Sequence, residues 1–339
     1  MAFTPSSLAE VRAVLRALPE PDAAAAEAAR AREGQLTKPA GALGRLEELA
    51  AWMAAWQGRH PPKLERIRVA VFAGWNGITE QGVSAYPAVV TDQMIANFTS
   101  GGAAVNQLSR LLDAELVIVP VAPGQPTKDF TTAPAMSELE CVDAFVAGLD
   151  TVHENIDLLA VGEMGIGNTT TAAAIAAALY GGGALAWTGP GTGLDQTGVR
   201  HKAAVIERGL ALHAASLGDP LAVLCRLGGR EIAAMAGAIL GARLCRVPVI
   251  LDGYVATTAA AVLHALEPTA LAHCQAGHRS AEPAHGAVLE KLGLVPLLDL
   301  GMRLGEASGA ALAAQIVRAA VACHTGMATF ADAGVSGKA

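Results

Sequence analysis

The amino-acid sequence predicts an α/β protein built on a mostly parallel, six-stranded sheet with flanking helices, and three observations carry that prediction. Short apolar runs recur at Ile67–Ala73, Leu116–Ala122, Ile156–Val161, Ala184–Thr188, Pro248–Leu251 and Leu294–Leu300. Several are nearly unbroken Val, Ile and Leu, the composition of strands buried on both faces. Helical stretches separate most of them, including Val89–Phe98, Ala103–Leu112, Thr170–Leu179, Val199–Leu217 and Glu231–Leu244. Strand alternating with helix gives parallel pairing through right-handed crossovers. The third observation is where the glycine loops fall. They follow the runs, and ligands of open parallel sheets bind beyond the carboxyl ends of the strands.

Taken in order, Ser7 and Glu10 form a capping box for a first helix, Leu8–Leu18, which Pro19 and Pro21 end. Asp22 caps a second helix to about Arg32, and a third runs from about Ala42 to Gln57. All three precede the first strand, so they are expected to form a small helical unit. Asn168–Leu179 (NTTTAAAIAAAL) and Val255–Leu266 (VATTAAAVLHAL) echo one another, each behind a strand. They read as two similar βα units. A last helix, about Ser308 to His324, leads to a polar tail, Ala331–Ala339, expected to fray.

Composition narrows the function classes. Charged residues are 16% and hydrophobic residues 52% of the 339, against roughly 25% charged in ordinary soluble proteins. That implies a large core and a buried subunit interface. The net charge of −7 and the lack of a basic run exclude nucleic acid as the expected partner. The five cysteines are scattered with no CxxC, the pattern of buried, reduced thiols in a cytoplasmic protein. No signal peptide is read at the N-terminus. The longest uncharged run, Met164–Leu194, is broken by glycines, so no membrane span is expected.

The chemistry concentrates in the loops. Gly162–Thr170 reads GEMGIGNTT between a predicted strand and an Ala-rich helix. Its glycines, Gly165 and Gly167 among them, allow a tight turn, and Asn168 and Thr169 offer polar atoms at a helix start, a natural phosphate seat. It is neither a P-loop nor GxGxxG. GPGTGLD at Gly189–Asp195 adds backbone N–H groups of Gly191, Thr192 and Gly193, and Lys202 follows with a charge. Asp195 either holds a ribose hydroxyl or caps the next helix. Glu306, in RLGEASGA, lies among small and apolar neighbours, where desolvation raises a carboxyl pKa and makes a better base. Glu163 is the second loop carboxylate. Ser84, Tyr86 and Gln93 offer hydroxyls and an amide beside an aromatic face, which suits a flat heterocycle. His273, His278 and His285 are spaced by five and seven residues, which fits no standard zinc pattern, so HRSAEPAHG is read as an ordered polar loop with Ser280 toward ligand.

These motifs together resemble the nicotinate-nucleotide–dimethylbenzimidazole phosphoribosyltransferase family. The blocks are KPAGALGRLE (38–47), GVSAYP (82–87), TDQM (91–94), GGAAVNQL (101–108), GEMGIGNTT, GTGLD, GGREIAAMAG (228–237), Asp252-Gly253, HRSAEPAHG and PLLDLGMRLGEASGAALA (296–313). The resemblance implies a Rossmann-like large domain, 61–307, and a small helical domain from both chain ends, 1–60 with a helix of about 308–339. It implies a homodimer with no cofactor and no metal. Its reaction would move phosphoribose from nicotinate mononucleotide to 5,6-dimethylbenzimidazole, giving α-ribazole 5′-phosphate and nicotinate in cobalamin lower-ligand assembly. Glu306 would be the general base. Glu163, Asp252 and Ser280, with the glycine loops and Lys202, would serve the phosphoribosyl and nicotinate side. Ser84, Tyr86, Gln93, Met302 and Leu304 would form the slot for the incoming base. The chain departs from the family in three places. Trp75-Asn76-Gly77 stands where Asp-His-Gly is usual, Pro190 where an Arg is often found, and RLGEASG where RLGEGTG is usual. Two other readings fit the same motifs: a transferase for another acceptor base, and a non-catalytic ribazole- or benzimidazole-binding protein.

Overall fold

In the computed structural model, which describes residues 3–336, five parallel strands form one sheet in the order β2-β1-β3-β4-β5. They are β1 (Ile67–Ala73), β2 (Glu115–Pro120), β3 (Leu158–Met164), β4 (Val249–Leu251) and β5 (Cys274–Ala276). The order reverses at β1 and β3, which pair directly from Ile67↔Leu158 to Ala73↔Met164. In this kind of doubly wound sheet the crevice at the reversal is where ligands sit.

Both faces of the sheet are covered, and the strand residues alternate between two cores. Ala70 and Phe72 of β1, Leu159 and Val161 of β3, and Val249 and Leu251 of β4 join one core with the helices Glu138–Leu149, Asn168–Tyr180, Arg230–Leu244 and Tyr254–Leu266. Val69, Val71, Leu158, Ala160 and Ile250 join the other, with Leu49 and Met53 of the helix Arg45–Gln57 and Ala310, Ala314 and Val317 of the helix Ser308–Gly326. This two-residue alternation into two dry layers is why the strands read as continuous apolar runs. The first helix, Leu8–Leu15, sends Val11 and Leu15 into the first of these cores. Small residues set the spacing. A Cβ at Gly148 or Gly237 would collide with the opposite helix backbone, so Glu138–Leu149 and Arg230–Leu244 meet nearly backbone to backbone.

The open parallel sheet matches the prediction, but six strands become five. Ala184–Thr188 is not a strand: Ala184–Trp187 is a short helix. ALAW contains no β-branched residue, and Ala and Leu favour helix. Leu294–Leu300 runs beside β5, with Leu297 N–H donating to Ala276 and Leu298 N–H to Gly277, yet only the bridge His278↔Leu298 forms. Pro296 has no N–H to contribute to a ladder. β5 itself escapes a search for apolar runs, because Cys-Gln-Ala is too short and too polar. Among the cysteines, Cys141, Cys225 and Cys274 are buried, whereas Cys245 and Cys323 are partly open. In the tail, Phe330–Ala333 is a short helix capped by Thr329 and Asp332 rather than frayed chain; residues 337–339 of the expected tail lie outside the described residues. No helix among the described residues is long and apolar enough to cross a membrane.

Candidate active site

A cavity of about 510 Å³ opens at the carboxyl ends of the strands, beside the β1/β3 reversal. Its floor is the end of β3. Glu163 is the next-to-last residue of that strand, and the chain turns through Gly165 and Gly167 into the helix Asn168–Tyr180. Gly167 has φ of 92°, a conformation that favours glycine. The Asn168 amide donates to the Glu163 carboxylate. Thr91 accepts a hydrogen bond from the Ile166 N–H at 3.1 Å, which fixes the loop to the helix Val90–Ser100.

The second loop forms one wall. Gly191 and Gly193 have φ of 53° and 119°, and the N–H groups of Gly193 and Leu194 both point back to the Pro190 carbonyl at 3.0 Å. Thr192 lines the cavity and reaches across to the opposite loop, 3.1 Å from the Ser84 hydroxyl and accepting from the Ala85 N–H. Lys202 is buried behind this loop. Its ammonium donates to Thr169 Oγ1 at 2.7 Å and to the Gly189 carbonyl at 3.3 Å. Burial lowers its pKa to about 8, against an opposing pull from Glu282.

Glu306 stands at the third wall. Gly305, Glu306 and Ala307 have φ of 81°, 61° and 57°, three left-handed residues in a row of which two carry side chains. Such residues cost on the order of 1 kcal/mol or more each and persist only where the surroundings impose them. Here the Glu306 N–H donates to the Glu163 carbonyl at 3.1 Å, the Ser308 hydroxyl donates to the Gly305 carbonyl at 2.7 Å, and Gly162 leaves just enough room for Ala307. The strain aims the Glu306 carboxyl into the cavity while leaving it 6% exposed. Desolvation, with a further push from the Asp252 charge, raises its pKa to about 7. Glu163 is pushed well above the usual carboxylate range by burial and then by Asp252 and Glu231, with the Asn168 amide opposing.

Among the residues singled out from sequence, Tyr86, Glu163, Gly165, Asn168 and Thr169 line the cavity, as do Gly191, Thr192, Ser280, Leu304 and Glu306. The others stand behind or beside it. Lys202 acts through Thr169 and the Gly189 carbonyl. Asp195 caps the helix Gln196–His213 through the Gly198 N–H at 2.8 Å. Asp252 is buried, accepts the Ala310 N–H at 2.9 Å and lies 3.6 Å from His278 Nε2. Gln93 is exposed on its helix, and Met302 is outside the lining, with its carbonyl accepting the Ala281 N–H. Gly167 and Gly193 shape their loops, and Ser84 touches the site through Thr192.

Four contributors carry no role in the sequence reading. Arg303 lines the cavity and donates to the Gly191 carbonyl at 2.9 Å. Glu282 lines it too, its pKa raised by burial and partly offset by Lys202. Tyr254 lines it while donating its hydroxyl to the Trp187 carbonyl. Glu231 lies buried beneath Gly165. Arg303 sits inside RLGE and Glu282 inside HRSAEPAHG, so position within a motif was the available signal. The three nearby histidines separate: His273 meets the Ile239 carbonyl, His278 faces Asp252, and His285 accepts the Ser280 N–H. Burial lowers His273 and His285 to about 3.

Glycine loops at a sheet reversal, a cation behind them and a buried carboxyl of raised pKa across the cavity are equipment suited to a phosphorylated sugar. The matching family model is described as Phosphoribosyltransferase and covers residues 18–335. The nicotinate-nucleotide–dimethylbenzimidazole phosphoribosyltransferase of Cereibacter sphaeroides (strain ATCC 17025) is 60% identical over 98% of each chain. That of Sinorhizobium medicae is 59% identical over 97% of each. The crystal structure of the enzyme so named from Thermus thermophilus superposes with a TM-score of 0.85 at 41% identity, covering 94% of this chain and all of that one. The chain belongs to the nicotinate-nucleotide–dimethylbenzimidazole phosphoribosyltransferase family.

Proposed function

We propose that the protein transfers phosphoribose from nicotinate mononucleotide to 5,6-dimethylbenzimidazole, releasing nicotinate and forming α-ribazole 5′-phosphate, a step in building the lower ligand of cobalamin. The observation that carries the mechanism is Glu306, a carboxylate with a pKa near 7 held in a strained turn at the cavity. One benzimidazole nitrogen gives its proton to Glu306 while the other attacks the anomeric carbon. The bond to nicotinate breaks, and its electron pair returns to the pyridine nitrogen as the ring leaves neutral. Attack from the face opposite the leaving base converts β to α. The leaving group needs little acid, so positioning and proton removal do most of the work.

The loop Gly165–Thr169 offers backbone N–H groups and the Thr169 hydroxyl for the phosphate, Thr192 adds to them from the second loop, and Lys202 polarises Thr169 from behind. Glu163 and Ser280 serve the ribose and nicotinate side. Asp252 contributes through Glu306 rather than by contact. Tyr86 and Leu304 serve the incoming base, with Ser84 joined to the site through Thr192. The protein works as a cytoplasmic homodimer in this reading. Tyr86 and Leu304 at the mouth are 54% and 56% exposed, which supports a second copy covering them. The helical unit of residues 1–60 with about 308–339 is retained as the smaller domain beside 61–307.

A base-exchange assay tests the reading. Nicotinate release and an α-linked nucleotide are expected with dimethylbenzimidazole, and parallel reactions with adenine and a phenol rank the acceptors. Folded protein that binds nicotinate mononucleotide and releases no nicotinate with any acceptor would overturn it. Light scattering in solution tests the dimer.

A further inference from the structure

A fully buried carboxyl sits directly beneath the catalytic loops and touches no substrate space. Glu231 is 0% exposed, and Asn76, 3% exposed, donates from Nδ2 to its Oε1 at 2.9 Å. The other two oxygens of this pair, Glu231 Oε2 and Asn76 Oδ1, are both buried without a hydrogen-bond partner. They are neighbours: a Cβ built on Gly229 would lie 2.6 Å from each of Asn76 Oδ1, Glu231 Oε1 and Glu231 Oε2. Glycine backbone encloses them on the other sides. A Cβ on Gly74 would strike Oε2, and one on Gly165 would lie 3.0 Å from Asn76 Nδ2 and 3.3 Å from Glu231 Oε1.

Two adjacent buried acceptors with no donor between them are a costly arrangement. One proton on Oε2 resolves both, because it can be donated to Oδ1 while Nδ2 donates to Oε1. We propose that Glu231 and Asn76 form a carboxylic acid–carboxamide pair, with the proton on Oε2, and that this uncharged pair is the positioning element for the loop carrying Glu163. The charged groups around it fit. Arg230, next in the chain, is committed to the Glu140 carboxylate and the Gln125 carbonyl. Glu163 and Glu231 are neighbouring carboxyls whose like charges oppose one another, so the two do not ionise together. The Asn76 amide, the Glu231 N–H at the start of the helix Arg230–Leu244 and the Arg230 charge favour an anion and are the opposing influences. Burial outweighs them and holds the Glu231 carboxyl above its usual range. Glu231 is thus a positioning residue. It braces Gly74 and Gly165, on either side of the β1/β3 reversal, without placing a negative charge beside Glu163.

The inference rests on the transferase reading for its kinetic arm only. Infrared difference spectra between the wild-type protein and Glu231→Gln should show the C=O stretch of a protonated carboxyl at neutral pH, lost in the variant, whatever the activity. Absence of that band would overturn the pair even if the transferase is confirmed. In turnover, Glu231→Ala should lower kcat on the order of tenfold, since small displacements of a positioned group are costly. Glu231→Gln, which presents one donor and one acceptor to Asn76, should rescue most of that loss and leave the acid limb of the pH profile where it is. An acid limb shifted to lower pH in Glu231→Gln would mean that a negative charge had been removed, and would equally overturn the proposal.

Discussion

The Lys202 ammonium lies 2.7 Å from Thr169 Oγ1, behind the loop that lines the cavity rather than inside it. The cation therefore orients the Thr169 hydroxyl while anchored to the Gly189 carbonyl, and in the proposed reaction acts on the phosphate through that hydroxyl. Lys202→Met should raise KM for nicotinate mononucleotide by roughly 10- to 100-fold, the equivalent of losing about 1.5–3 kcal/mol of charge-assisted hydrogen bonding. Thr169→Val should reproduce part of that loss. Steady-state kinetics with the donor varied checks both, and an unchanged KM in Lys202→Met would remove it from phosphate binding.

The pH profile of kcat/KM follows from two groups of opposite sign. As the proposed base Glu306 must be a carboxylate, so activity should fall as pH drops through its pKa of about 7. Lys202 must be an ammonium, so activity falls as pH rises through its pKa of about 8. The expected profile is a narrow bell between these values. Glu306→Gln should lose about 10²- to 10⁴-fold in kcat, the span of general base catalysis, while donor binding measured by calorimetry survives.

Asp252 pushes the Glu306 pKa up and accepts the Ala310 N–H at the start of the helix that follows it. Asp252→Asn keeps the acceptor and removes the charge. The acid limb should then move to lower pH, and a limb that stays in place would show that burial alone sets Glu306.

Gly162 sits where a Cβ would run into the backbone of Ala307. Gly162→Ala must displace the turn that aims Glu306. A loss of about 10²-fold in kcat is expected for an ångström-scale misplacement, with the fold retained by circular dichroism.

Far from the cavity, Lys38 is buried between Glu33 and Glu47, 2.9 and 2.8 Å from their carboxylates. Glu33 also meets His324 Nδ1 at 2.7 Å, so the cluster ties the N-terminal helices to the C-terminal one. Lys38→Met leaves Glu47 without its cation and Glu33 with His324 alone, and should cost roughly 3 kcal/mol, read as a fall in denaturation midpoint. The Lys38 pKa is raised and the Glu47 pKa lowered by their hydrogen bond against the opposing effect of burial. The Glu47 contribution is therefore present above the ordinary Glu pKa and lost as pH falls through its lowered folded value. The Lys38 contribution is present below the ordinary Lys pKa and lost as pH rises through its raised one.

The parallel α/β class, the glycine loops and the two loop carboxylates that meet at the cavity are legible in the chain alone. Strands dry on both faces must be written as apolar runs, tight turns must be written as glycine, and a strand-to-helix turn has to lie at the ligand end of the sheet. Those are local requirements, so Glu163, Thr169, Gly191 and Glu306 were legible. Only the tertiary structure decided what depends on distant neighbours. A short strand such as Cys274–Ala276 exists because β4 stands beside it, and Ala184–Trp187 becomes helix between its glycine flanks. Whether Lys202 and Asp252 touch the cavity or support it, and that Glu231 pairs with Asn76 across 155 positions, was set by packing. Side-chain charge is written in the sequence, but its burial and its partner are fixed only when the chain folds, and those two decide what a carboxylate or an ammonium does.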